Sequence, residues 1–187
     1  MKDKTRCSWC SNDILYKEYH DLEWGVPTCD DNKLFEFLML EIFQAGLSWY
    51  TILKKRPNFN YAFDNFDFHK ISSYDTKKIE SLMNNSGIVR NRLKIDSTIT
   101  NAKSFINIQK TYGSFYKYLL LNKNKYTPKQ YLDPLNNFTT MAVNISNDLK
   151  KKGFKFIGPK IVYAFLMAAG IINGHQKTCF RYSELNH

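Results

Sequence analysis

Leu34 to Trp49 reads LFEFLMLEIFQAGLSW. At 3.6 residues per turn, Leu34, Phe37, Leu38, Glu41 and Ala45 share one helical face, so Glu41 continues an otherwise apolar stripe. Glu36 is five positions away, roughly 140° round the helix, and is expected to reach water on the opposite side. An ionised carboxylate among Leu and Phe side chains must be compensated by a buried cation, by hydrogen bonds or by a proton. No Lys or Arg lies within a turn of Glu41. Its partner is therefore either distant in sequence (a Lys, an Arg or a buried hydroxyl) or a cationic or proton-donating ligand. Gly46 ends the helix, Ser48 caps the next one, and Trp49 stands about two turns from Glu41. A carboxylate and an aromatic face at a bend suit recognition of a flat heterocycle.

The rest of the chain bounds what such a site can serve. At 187 residues it makes one domain of generous size or two small lobes sharing a core, and 43% hydrophobic with 16% aromatic residues excludes wholesale disorder. Twenty-seven Lys and Arg against seventeen Asp and Glu leave a net charge of +10, which favours a polyanionic partner, nucleic acid first. No apolar run is long enough to span a bilayer and no helix has a uniformly basic polar face, so a membrane is not expected as a partner. The opening MKDKTRC lacks the apolar core of a signal peptide. The expected location is the cytoplasm, where Cys7, Cys10, Cys29 and Cys179 are free thiols or metal ligands rather than disulfides.

Taken in order, Asp13 caps a helix through Leu22 that ends at Trp24-Gly25-Val26-Pro27. Asp30 or Asp31 caps the central helix. Ser48 opens another that Lys54-Lys55-Arg56-Pro57 is expected to stop. Short helices capped at Asp67 and Asp75 follow, and then Ile95, Ile99, Ala102 and Ile106 mark a clear amphipathic segment. No period-two run competes, so the chain reads as all-α. Residues 122–138, with Pro128 and Pro134 and no periodicity, are expected to form a long loop. Lys150 to Gly170 reads KKKGFKFIGPKIVYAFLMAAG. A helix ending at Gly153 and another starting after Gly158, with Pro159 in its first turn, offer free backbone N–H groups at the turn between them. Lys150, Lys151, Lys152, Lys155 and Lys160 surround that turn. It serves either as a phosphate-binding hairpin or as an ordinary packing corner with solvated lysines. Cys7 and His20 at one end, with His175 and Cys179 at the other, have the donor types of a closed, structural zinc site that would clip the termini together. Cys10 is a rival ligand through Cys7-x-x-Cys10, and Cys29 reads as a buried thiol.

These residues fall in blocks: Cys7-x-Trp9, Tyr16-x-x-Tyr19-His20-Asp21-x-Glu23-Trp24-Gly25-Val26-Pro27, Leu40-Glu41-x-x-Gln44-Ala45-Gly46-Leu47-Ser48-Trp49, Ile88-x-Arg90-x-Arg92-x-Lys94-Ile95, Lys151-x-Gly153-Phe154-Lys155-Phe156-x-Gly158 and His175-x-x-x-Cys179. In type and order the set resembles the 3-methyladenine DNA glycosylase I family, constitutive bacterial alkylation-repair enzymes of the helix-hairpin-helix superfamily. The resemblance covers nearly the whole chain and is weakest at 122–138. It implies an all-α helix-hairpin-helix glycosylase fold working as one unit, with a pocket lobe from about 1–47 and 170–187 that holds one structural zinc ion, and a helical hairpin lobe over about 48–169. It implies zinc ligands Cys7, His20, His175 and Cys179. Glu41 matches the base-reading carboxylate and Trp49 the aromatic that stacks on the extruded base, with Tyr16, Tyr19 and Trp9 lining the pocket. Ala45, Gly46 and Leu47 match the loop that fills the gap left in the duplex, and Gly153, Lys155, Gly158 and Lys160 belong to the phosphate-gripping hairpin. The implied function is hydrolysis of the N-glycosidic bond of 3-methyladenine in alkylated duplex DNA, with a monomer releasing the base and leaving an abasic site. Many relatives with this hairpin carry an Asp soon after its second helix; here Ile171, Ile172, Asn173, Gly174 and His175 follow Gly170. That absence fits a substrate labile enough to need no second carboxylate. It also fits a zinc-stabilised DNA-binding module without catalysis.

Overall fold

A computed structural model describes residues 4–10, 12–126 and 139–185. Among them are ten α-helices and one 3-10 turn, and no β-strand. The order is α1 (Ile14–Leu22), α2 (Asp31–Gln44), α3 (Trp49–Ala62), a 3-10 turn (Asp64–Phe66), α4 (Phe68–Ile71), α5 (Thr76–Asn84), α6 (Arg92–Tyr112), α7 (Phe115–Tyr126), α8 (Thr140–Lys151), α9 (Pro159–Ala168) and α10 (Phe180–Glu184). The expected caps are in use: Asp13, Asp30, Ser48, Asp67 and Asp75 each accept a first-turn backbone N–H. Each cap contributes about 1 kcal/mol. Asp31, the other candidate beside Asp30, caps a different helix: its carboxylate accepts the N–H groups of Phe115 and Tyr116 and so starts α7.

The centre of the fold is α2, packed by α3, α6, α7 and α9. Every residue from Leu34 to Phe43 is buried. Glu36 therefore does not reach water as its position on the helical wheel suggested, because the far side of α2 is covered too. It is satisfied instead by Arg56 Nε at 2.7 Å and Lys33 Nζ at 2.9 Å, while Arg56 also grips both oxygens of Glu23. Burial by itself would raise the Glu36 carboxyl, but the Arg56 guanidinium and Lys33 outweigh it and hold it below the usual carboxylate range.

Pro57 does not stop α3, which continues to Ala62. A proline inside a helix costs about 3 kcal/mol. Full burial of a Phe side chain such as Phe59 returns about 2–3 kcal/mol, and Arg56 pins the same turn to α1 and α2. The expected 122–138 loop starts later than predicted, since residues 122–126 complete α7; residues 127–138 lie outside the described ones. Cys29 is exposed rather than buried, just ahead of the α2 cap.

The two ends of the chain meet. Gly25 and Thr28 donate backbone N–H groups to the carbonyls of Ala168 and Ala169, and Phe180 donates to the Thr5 carbonyl. Gly170 sits against this seam with φ +69°, and a Cβ there would stand 2.5 Å from the Pro27 nitrogen. No other residue fits.

The Arg56 network gives a stability prediction. Arg56→Met leaves Glu36 buried with Lys33 alone, and urea denaturation at neutral pH should show a loss of about 3 kcal/mol. The Glu36 carboxyl is depressed in the folded state, so its stabilising contribution is present above its unfolded pKa and disappears as the pH drops through the folded one. The gap between wild type and variant should therefore narrow in acid.

Candidate active site

Where α2 ends, a cavity of about 150 Å³ is lined by Trp9, Tyr19, Trp24, Glu41, Gln44, Trp49, Ala164 and Met167. Four aromatic side chains wall it: Trp24 meets Trp9 edge-on at 4.8 Å, and Tyr19 lies 5.3 Å from Trp49. Glu41 is the one acidic residue in this lining, and it is only 5% exposed. It makes no hydrogen bond or ion pair with any described residue. Burial alone pushes its carboxyl up to about 8, with no neighbouring cation acting to lower it. Of the alternatives the sequence left open, a permanent Lys, Arg or hydroxyl partner is thus not found among the described residues. Burial first, and then the nearby Glu41, keeps the Tyr19 hydroxyl well above its ordinary range, so it stays a neutral donor. The indole Nε1 of Trp49 is a buried donor without a partner. A buried carboxyl without a partner and a buried, unpaired N–H, both on residues that line one aromatic recess, suit a flat polar molecule that brings a positive charge or a proton. Its size suits a single ring system rather than a large ligand.

A larger groove of about 400 Å³ shares Tyr19 and is lined also by Leu15, Leu22, Leu53, Arg56 and Pro57. Its carboxylate Glu23 is already held by Arg56 and Lys33. Its one buried polar atom without a partner is the neutral Asn60 Oδ1, so it offers no uncompensated buried charge.

The structure brings Trp9, Tyr19, Glu41 and Trp49 together in one cavity and leaves Tyr16 out of its lining. Tyr16 stacks on Tyr50 at 5.4 Å with the rings 7° apart, and Tyr50 is itself tied to Asp13 by a 2.8 Å hydrogen bond. From there Tyr16 backs Trp9 at 5.8 Å. Sequence reasoning assigned no site role to Trp24, Gln44, Ala164 or Met167. Gln44 had a readable signal, being three residues from Glu41 on the same helix face. The α9 pair had none, since nothing local ties α9 to α2.

The loop after α2 is exposed: Ala45, Gly46 and Leu47 project at the cavity rim, with Gly46 at φ +86° and Leu47 42% exposed. In the turn between α8 and α9, Gly158 is the N-cap of α9 and Pro159 its first residue. Lys150, Lys151, Lys155 and Lys160 are exposed around this turn, whereas Lys152 pairs with Asp148 at 3.4 Å.

Next to the cavity lies a second group. Cys7, His20, His175 and Cys179 are all buried, and their ligand atoms lie within 4.8 Å of one another. Cys7 Sγ is 3.5 Å from His175 Nδ1, and Cys179 Sγ is 3.4 Å from His20 Nε2 and 3.6 Å from His175 Nδ1. Tetrahedral bonds of ordinary zinc–sulfur and zinc–nitrogen length give an edge of about 3.6 Å. The outer imidazole nitrogens are oriented as metal-bound histidines require: His20 Nδ1 meets Asp21 at 2.8 Å, and His175 Nε2 meets the Trp24 carbonyl at 3.2 Å. Arg6 holds Asp21 at 2.7 Å. Burial raises the Cys7 thiol to about 11, against the Gln176 N–H that lowers it and with the neighbouring Cys179 adding to the rise, and burial lowers His175 to about 4. The four residues fit a metal ion. Cys10 is outside the group; its N–H closes a turn on the Cys7 carbonyl at 2.9 Å.

Comparison with known proteins identifies the family. A family model described as methyladenine glycosylase matches residues 9–182. DNA-3-methyladenine glycosylase 1 of Escherichia coli (strain K12) is 39% identical over 180 residues, covering 95% of this chain and 96% of the relative. A crystal structure of 3-methyladenine DNA glycosylase I (TAG) superposes with a TM-score of 0.85 at 41% identity, covering 94% of this chain and 98% of the other. A Tyr-to-Phe variant of 3-methyladenine DNA glycosylase I in complex with 3-methyladenine gives 0.84 at 38%, over 94% and 96%. The reading as a binding module without catalysis does not survive this. The chain belongs to the methyladenine glycosylase family and is an enzyme, a hydrolase acting on N-glycosyl bonds.

Proposed function

We propose that this enzyme extrudes 3-methyladenine from alkylated duplex DNA into the cavity beside Glu41 and hydrolyses its N-glycosidic bond there, leaving an abasic site. The observation that carries the reading is the Glu41 carboxyl, buried without a counter-charge among Trp9, Tyr19, Trp24 and Trp49. Methylation at N3 makes adenine a cation and weakens its bond to the sugar. A cation beside a desolvated carboxylate gains about 4 kcal/mol at 4 Å if the effective dielectric is near 20. Cation–π contact with the indoles adds to that, and a neutral adenine gains far less. When the bond breaks, its electron pair goes to the base and neutralises it. Water supplies a hydroxyl to the sugar carbon and gives its proton to solvent. The leaving group is already good, so one carboxylate suffices and the absence of an Asp after α9 follows.

In this reading Trp49 stacks on the base, Tyr19 and Trp9 close the pocket, and Tyr16 acts by backing Trp9. Ala45, Gly46 and Leu47 fill the gap in the duplex. The turn from Gly153 to Gly158 is the hairpin of a helix-hairpin-helix element, whose free N–H groups grip phosphate with help from Lys155 and Lys160. Cys7, His20, His175 and Cys179 hold one zinc ion, whose chemistry is structural: four protein donors leave no position for water. The chain acts as a cytoplasmic monomer and as one unit, with a zinc and pocket lobe from about 1–47 and 170–187 against a hairpin lobe over about 48–169.

Glu41→Gln should lower base release from alkylated duplex by about 100-fold or more, measured as free 3-methyladenine by chromatography. Full release would end the assigned role. The pH profile is a second test. Below about pH 8 the empty pocket holds a proton on Glu41, and a cationic guest must expel it. Log(kcat/KM) should therefore climb with pH up to about 8 and be flat in Glu41→Gln. Because the folded carboxyl binds its proton more tightly than the unfolded one, wild-type stability should decline relative to Glu41→Gln as pH rises between the two pKa values. Metal analysis should find one zinc per chain. Chelation, or Cys179→Ser, should lower the melting temperature while free-base affinity in the folded fraction stays near wild type; a metal-free wild type would refute the assignment.

A further inference from the structure

The two DNA-facing loops are anchored on a single helix. Lys94, near the start of α6, is 6% exposed. Its ammonium donates to the carbonyls of Phe43 at 2.9 Å and Ala45 at 2.7 Å, two of the acceptors that the end of α2 leaves without helical partners. Burial lowers its pKa. Both identified acceptors of this buried cation are therefore backbone atoms at the base of the Ala45–Leu47 loop, and Glu41 draws no charge from it. Beyond that base the loop is unsupported: Leu47 N–H turns back to Gln44 O at 2.7 Å, and no atom lies within 4 Å of the position a Cβ on Gly46 would take.

Asn101 lies seven residues further on, on the same face of α6, and is fully buried. Its side-chain oxygen accepts the Lys155 N–H at 2.8 Å, and its amide donates back to the Lys155 carbonyl at 3.2 Å. This two-point clamp holds the middle of the α8–α9 turn. One turn later Ser104 Oγ stands 3.0 Å from where a Gly153 Cβ would be. From the other side Ser146 donates to the Ile157 carbonyl at 2.6 Å. The clamp leaves Lys155 and Phe156 outward and exposed, with Phe156 held at φ +54°.

We infer that α6 is a spacer: through Lys94 and Asn101 it sets the distance between the loop that enters the duplex and the turn that grips its backbone, and both are positioning residues for base extrusion. This deepens the reading given under Proposed function and rests on it. Seven helical residues separate the two anchors by about 10 Å along a rigid axis. Pulling a base out requires one element to push at the base step while another holds the phosphates at a fixed offset. A helix pinned to the root of each holds that offset without touching DNA. The charge on Lys94 and the bidentate geometry of Asn101 suit this task, because their partners are main-chain atoms whose place does not depend on the loop's side chains.

The test uses Lys94→Met and Asn101→Leu, which remove the donors and keep most of the volume, and the double variant. Affinity for free 3-methyladenine is read from tryptophan fluorescence, and kcat/KM from release on alkylated duplex. Each single variant is expected to lose about 10- to 100-fold on duplex, as small misplacements do, with free-base affinity within about two-fold of wild type. The double variant should lose clearly less than the product of the two, because one spacing cannot be broken twice. Lys94→Arg and Asn101→Gln, which keep donors, should recover part of the loss and serve if the first pair does not fold. Equal falls in duplex activity and free-base affinity, multiplicative losses, or unchanged duplex release would each overturn the spacer. A wild type that neither binds the free base nor releases it from DNA would instead bring down the underlying functional reading, and the spacer with it.

Discussion

A single desolvated carboxyl group organises this enzyme. Two glutamates five residues apart on α2 are buried to nearly the same degree, 7% and 5% exposed, and they differ only in what faces them. Glu36 meets Arg56 and Lys33, so it is a settled structural ion pair. Glu41 meets indole and phenol rings and has no identified partner. The cost of burying it is borne by the rest of the fold, which keeps α2 covered by four other helices. Unpaired groups of this kind persist where function requires them.

The walls of that recess depend on the meeting of the two ends of the chain. Trp9 and Trp24 come from the N-terminal region, and Ala164 and Met167 from α9. The backbone seam at Gly25, Thr28, Ala168 and Ala169 fixes one set against the other, and the buried Cys7, His20, His175 and Cys179 group lies beside it. Trp24 takes part in both, since its ring lines the cavity while its carbonyl accepts from His175. Site and clip are thus neighbours, and the backbone closeness of Gly170 to Gly25 and Pro27 keeps the seam beside them tight.

How much of this was legible in the sequence follows from how far each signal reaches. Helix starts were readable because capping is local: Asp13, Asp30, Ser48, Asp67 and Asp75 each act within three residues of themselves. The Glu41 anomaly was readable from periodicity on one helix, and the blocks around it resembled a known family. Failures came wherever a distant partner decides. Glu36 looked exposed because a helical wheel does not say what covers its far side. Pro57 looked like a stop because the burial of Phe59 and the grip of Arg56 are tertiary. Cys29 looked buried and is not. Lys94 stands out in the sequence only as part of a block, and Asn101 not at all, because both serve main-chain atoms about fifty positions away.

The division of the metal-type group between the two ends also bears on synthesis. A ribosome that has made residues 1–170 has produced Glu41, the rim loop and the basic turn, but no partner for Cys7 and His20. That four-donor group cannot be completed until His175 and Cys179 have been made. A fragment that stops before His175 keeps every residue that lines the cavity but lacks two of the four donors of that group.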